Sequence, residues 1–145
     1  MKKIFLSCML LLLPLWLFAQ ELKEGEQIVP LDIKDQFTKN IPITAQTKQI
    51  IVVFSKEKGE GMKLFFEANP TYLADNNAVY LMDISSVPSL VMSMFMLPKL
   101  EKYNYSVGLL ENEKDIAYFP KKENCITVIT LENLTVTSIT YKENL

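Results

Sequence analysis

The chain predicts an α/β domain built on a covered central sheet, and three observations carry that expectation. Ile50 to Phe54 form an unbroken apolar run; a strand apolar at every position is buried on both faces, as parallel strands of α/β domains are. The run ends in a polar stretch, Ser55 to Gly61, whose glycines Gly59 and Gly61 predict a loop before a helix. A second apolar run, Ala78 to Ile84, follows a helical pattern, so that strand, helix and strand make a right-handed unit with a parallel pair.

At the N-terminus, Lys2 and Lys3 precede an apolar stretch from Ile4 to Phe18 that closes on Ala19-Gln20. These are the charged, hydrophobic and small-residue regions of a secretory signal peptide, assigned to residues 1–19. The stretch contains Pro14 and is shorter than the roughly 20 apolar residues of a bilayer span, so an uncleaved anchor is the alternative and no stable membrane insertion is expected after cleavage. Cys8 stands near the beginning of the run, not at its end, which excludes a lipoprotein signal. Residues 20–27 are charged and are expected to be a short tether, leaving residues 28–145 as one domain.

Within that domain, Val29, Leu31 and Ile33 alternate with polar residues and predict an edge strand. A turn near Asp35-Gln36 and a short strand around Ile41 to Ile43 complete an N-terminal hairpin, with Pro30 and Pro42 suited to edges. After the central strand, Met62, Phe65, Phe66, Tyr72 and Leu73 share a helical face broken at Asn69-Pro70. Two segments are expected, about 60–68 and 70–75, the second capped by Asn69. Leu90 to Leu97 is apolar nearly all round, which predicts a helix buried against the sheet or else covering a partner, kinked or restarted at Pro98. Tyr105 to Leu110 predicts a short strand and Asn112 to Tyr118 a short helix. Cys125 to Leu131 and Leu134 to Tyr141 predict a C-terminal hairpin turning at Glu132-Asn133.

Composition removes several chemistries. The chain holds no histidine, which excludes Ser-His and Cys-His pairs and histidine metal sites within one subunit. It has no arginine and a net charge of −2, so nucleic acid is not an expected partner. No dinucleotide fingerprint or P-loop is present, and no cofactor or metal is expected. Once Cys8 leaves with the signal, Cys125 is alone in an oxidising compartment and can form no intramolecular disulfide.

The spacing from Phe54 to Lys63 resembles the active-site strand and helix start of the thioredoxin-like superfamily, where a strand ending in phenylalanine is followed by Cys-x-x-Cys and lysine. Laid on this chain, the cysteine positions fall on Gly59 and Met62, so neither can do thiol chemistry. The order of elements from about Val29 to Tyr141 is similar to the peroxiredoxin and thiol-reductase branch. It implies a three-layer α/β/α fold with a central mixed sheet and a hairpin at each end. In that branch a cis-proline precedes the last hairpin; here its position falls on Asn124. The segments DISSVPSL and LPKLEKY look like the small exported YtfJ-like group, which lacks the redox cysteines.

On this resemblance the expected function is an exported, redox-inactive binding protein of the periplasm or the secreted fraction, with an envelope protein or small ligand as partner. Its recognition surface is expected in the loops near 55–62, 84–88 and 119–125. The candidate binding loop is Ser55, Lys56, Glu57, Lys58, Gly59, Glu60, Gly61 and Met62; backbone amides at a helix start hold anions, and Lys56 and Lys58 would assist more than Lys121 and Lys122, while Glu57 and Glu60 oppose an anion and a solvated loop of alternating charges explains the stretch as well. The competing class is a one-cysteine oxidoreductase or peroxidase using Cys125, although a small buried residue at a strand start explains that thiol as well. Met92, Met94 and Met96 are soft ligands suited to copper(I), yet only Met92 and Met96 share a helical face, and core filling is the simpler account. Glu111, Glu113 and Asp115 are expected to favour a helix N-terminus and to have no catalytic role.

Overall fold

A computed structural model describes residues 20–145; residues 1–19, on which the signal-peptide assignment falls, lie outside the described residues. The central strand is β2 (Gln49–Val53). Its unbroken apolar character follows from two-sided burial: Ile50 and Val52 join Leu81, Ile129 and Phe119 on one face, whereas Ile51 and Val53 join Met62, Phe66 and Tyr80 on the other. β2 lies parallel to β3 (Ala78–Asp83) and antiparallel to β5 (Ile126–Glu132). β4 (Gly108–Leu110) runs parallel to β3, while β1 (Lys34–Asp35) and β6 (Thr135–Lys142) close the two edges. The strand order is β1-β4-β3-β2-β5-β6.

Two helical layers cover this mixed sheet. α1 (Lys56–Ala68) sets Met62 and Phe66 on one face, near the short α2 (Tyr72–Asp75). A continuous helical stretch lies on the same side: α3 (Ser89–Val91), a π-helical segment (Met92–Met96) and α4 (Leu97–Leu100), which buries Leu100. On the opposite face, α5 (Glu113–Tyr118) packs with Leu22, Ile28, Ile33 and Ile41. No helix among the described residues is long and apolar enough to cross a membrane.

Several expectations are corrected. Residues 20–27 are not a tether. Leu22 is 1% exposed, its N–H donates to the Tyr118 carbonyl, and Gly25 and Glu26 exchange backbone hydrogen bonds with Val136, so the segment is tied along the outer side of β6 by an isolated bridge. Its charges point outward while its single leucine points in. The N-terminal hairpin is smaller than expected: Ile41 N–H donates to Ile33 and Lys34 bridges Asn40, but only Lys34–Asp35 forms a strand. Asn69 caps the end of α1 and does not start α2. The C-terminal hairpin turns one residue later than predicted, with Asn133 and Leu134 both at positive φ, 47° and 65°, as a tight hairpin turn requires.

The largest correction concerns Leu90 to Leu97. This stretch is helical but not buried: Leu90 is 68% exposed, Phe95 67% and Met94 58%, and only Met92 and Met96 pack towards the core. Pro98, which has no N–H to donate, follows the π-helical segment, where Leu97 N–H reaches back to Met92.

Gly108 marks the tightest approach in the sheet. A Cβ there would stand 2.4 Å from Leu81 Cδ2, with Ile33 and Ile41 closing the other sides. Gly108→Ala is therefore expected to overpack this layer and to cost roughly 1–3 kcal/mol of unfolding free energy in urea titration; an unchanged midpoint would show that β1 and β4 give way freely.

Candidate functional site

The carboxyl ends of β2 and β3 open towards α1, the position at which open α/β sheets receive ligands. Ser55 has extended backbone and accepts a hydrogen bond from the Lys58 N–H at 3.2 Å, which makes it the N-cap of α1. The helix therefore begins before Gly59, and most of the stretch expected as a loop, Lys56 to Gly61, is already helical. Gly59 is a packing residue, not a turn residue: a Cβ there would lie 3.3 Å from Met82 Cε.

The eight candidate residues divide accordingly. Ser55, Lys56, Glu57 and Gly61 are exposed, and Glu60 is half-buried. Lys58, Gly59 and Met62 are buried. Lys58 sends its Nζ to the Glu143 carbonyl at 2.7 Å, tying α1 to the tail after β6, so its role is structural. Glu60 pairs with Lys99 of α4 at 2.6 Å. The hydrogen bond from Lys99 holds the Glu60 carboxyl below its ordinary value, and the same contact raises Lys99. Lys56 enters no ion pair among the described residues and is the free cation of the expected set.

Between α1 and the stretch 89–100 lies a cavity of about 290 Å3. Its apolar lining comes from Phe54, Met82, Val87, Val91, Phe95 and Met96, and its rim carries Ser55, Lys56, Glu60 and Lys99. The loops at 55–62 and 84–88 meet here as expected. The loop at 119–125 does not line the cavity, but it comes close: Lys121 Nζ stands 5.9 Å from the Phe54 ring centroid. Lys121 is thus not far from the central strand, contrary to expectation. Val91 and Phe95 are not among the candidates the sequence offers, because burial against the sheet is the first expectation for their helix; the lack of a polar face there points equally to the alternative, that the helix covers a partner.

Cys125 is half-buried immediately before β5, its N–H donating to the Lys122 carbonyl at 3.1 Å. All described peptide bonds are trans, and Asn124, at the position given to cis-proline, takes φ 59°. Glu113 and Asp115 stand in the first turn of α5, where Asn112 accepts from the Asp115 N–H at 2.8 Å. Among the described residues no cluster of three cysteine, aspartate or glutamate side chains could hold a metal ion. Met94 points outward while Met92 and Met96 pack inward, so the three methionines do not converge.

No protein-family model and no curated protein sequence matches the chain. Solved structures similar to it include the following two. A peroxiredoxin-like protein from Aquifex aeolicus superposes with a TM-score of 0.54 at 10% identity, over 86% of this chain and 79% of that one. A thiol peroxidase from Chromobacterium violaceum gives 0.51 at 12%, with the same coverage. At such identity the likeness speaks for the fold alone, and the fold is thioredoxin-like.

Proposed function

We propose that the protein is an exported thioredoxin-like binding module without thiol chemistry, of the YtfJ-like kind, and that it takes an apolar group of an envelope protein or small ligand into the cavity between α1 and residues 89–100. The observation that carries this reading is the cavity itself: it sits at the ligand end of the sheet and is continuous with the exposed Val91 and Phe95. The absence of a thiol supports it from the other side. Neither the positions fixed by spacing, Gly59 and Met62, nor the true helix start, Ser55 to Lys58, carries cysteine. Export rests on the N-terminal residues Lys2 to Ala19.

The competing reading, a single-cysteine enzyme, draws on the half-buried position of Cys125 in the loop before β5 and on the thiol peroxidase among the similar structures. One set of assays separates the two. The full chain is expected to show no insulin-disulfide reduction and no peroxide turnover. It is expected to capture a partner from the native envelope fraction, and Val91→Lys with Phe95→Glu should abolish that capture without lowering thermal stability, since both side chains are exposed. Turnover that disappears in Cys125→Ser would establish the enzyme instead; capture unchanged in the double variant would move the binding surface elsewhere.

A further inference from the structure

A second cavity, of about 510 Å3, lies at the opposite end of the sheet, against the start of β3 at Asn77 and Ala78. Its size falls within the roughly 300–1,000 Å3 of small-molecule sites. Its lining is chemically unusual for this chain, in which 22% of residues are charged: no lining residue carries a charge, and the Lys34 ammonium that donates to the amide oxygen of Asn40 is itself paired with Asp32. The polar groups are amides and hydroxyls instead, among them Asn40, Gln46, Asn77 and Asn104, and the aromatic wall is formed by Tyr80 and Tyr105. The side chains of Asn77 and Asn104 make no hydrogen bond to any described residue. Tyr80 and Tyr105 carry enclosed hydroxyls that likewise have no partner among the described residues.

Each feature narrows the ligand. With Lys34 already paired to Asp32 and Asn40, an anion would lose its hydration and gain little counter-charge, and without a carboxylate in the lining the same holds for a cation. A purely apolar ligand would bury the free amides without pairing them, which costs rather than gains affinity. What remains is a neutral molecule that offers many hydrogen-bonding groups around its edge and an apolar face for an aromatic ring. We infer that this cavity binds a neutral sugar of mono- or disaccharide size, its hydroxyls paired with the amides of Gln46, Asn77 and Asn104 and its C–H face set against Tyr105. The site is separate from the cavity at α1: the two share no lining residue.

The test is titration of the full chain with neutral mono- and disaccharides, read by calorimetry and by NMR shifts, alongside a sugar phosphate and a uronic acid as charged counterparts. Neutral sugars are expected to bind at millimolar concentration and the charged ones at least tenfold more weakly. Gln46→Ala with Asn104→Ala, both at exposed positions, is expected to keep the thermal midpoint and to lose about tenfold in affinity, within the range that two neutral hydrogen bonds contribute. Lys56→Glu, at the other cavity, should leave sugar binding unchanged. No binding of any neutral sugar, equal binding of the charged ones, or full affinity in the double variant would each overturn the assignment.

Discussion

Phe66→Ala is expected to cost about 3–5 kcal/mol of unfolding free energy, the range of buried aromatic truncations, whereas Phe95→Ala should stay within about 0.5 kcal/mol of the parent chain. Phe66 is 3% exposed and is the hub of the aromatic cluster between α1 and the sheet. Its ring stands edge-on to Tyr80 at 5.1 Å and to Phe65 at 5.6 Å, and lies 4.8 Å from Tyr105. Truncation would leave these rings facing a void that a strand and a helix already fixed in place cannot close. Phe95 borders the α1 cavity with most of its surface in solvent, so its removal uncovers little. Equilibrium urea unfolding of both variants decides the point. Equal losses would mean that residues 89–100 are packed into the core, and the α1 cavity would lose its exposed border.

That pair of phenylalanines also shows what the sequence can and cannot convey. The central strand was legible because two-sided burial leaves no polar position in Ile50 to Val53, and the C-terminal hairpin because Thr, Val and Ile crowd both arms. The helix at 89–100 was legible as a helix. Which of its sides meets the core was not, since a helix apolar all round carries no periodicity to orient it. Gly59 misled for a related reason: glycine serves a turn or a close approach, and only the position of Met82 shows that here it serves the second. Lys58 looked like a solvated charge because the Glu143 carbonyl that receives it lies in a distant part of the chain. At the candidate site, the absence of cysteine from Ser55 to Met62 could be read directly. The cavity could not, because it needs β2, β3, α1 and residues 89–100 in place together.

Raising the pH above 10 is expected to unfold the protein cooperatively, with part of its tyrosine ionisation locked to that transition. Burial, reinforced by the neighbouring Tyr105 and Tyr103, pushes the Tyr80 phenol well above its ordinary value; burial, with Tyr103 beside it, also raises Tyr105. In the unfolded chain both phenols lose their protons near pH 10, while in the folded chain they keep them. Above pH 10 the unfolded state therefore binds fewer protons than the native state, so stability is complete below that pH and falls as pH rises. Each proton retained in this way costs about 1.4 kcal/mol per pH unit, so stability declines for as long as the native state holds protons that the unfolded chain has lost. The exposed Lys99–Glu60 bridge adds little to the balance. Phenolate absorbance is expected to rise in two phases, exposed tyrosines first and the buried ones together with the loss of far-ultraviolet circular dichroism. Tyr80→Phe should move the transition to higher pH and, by removing a hydroxyl that has no partner among the described residues, should leave neutral-pH stability equal or higher by about 1 kcal/mol. A single smooth titration near pH 10 with unchanged dichroism would show instead that solvent reaches these phenols in the native state.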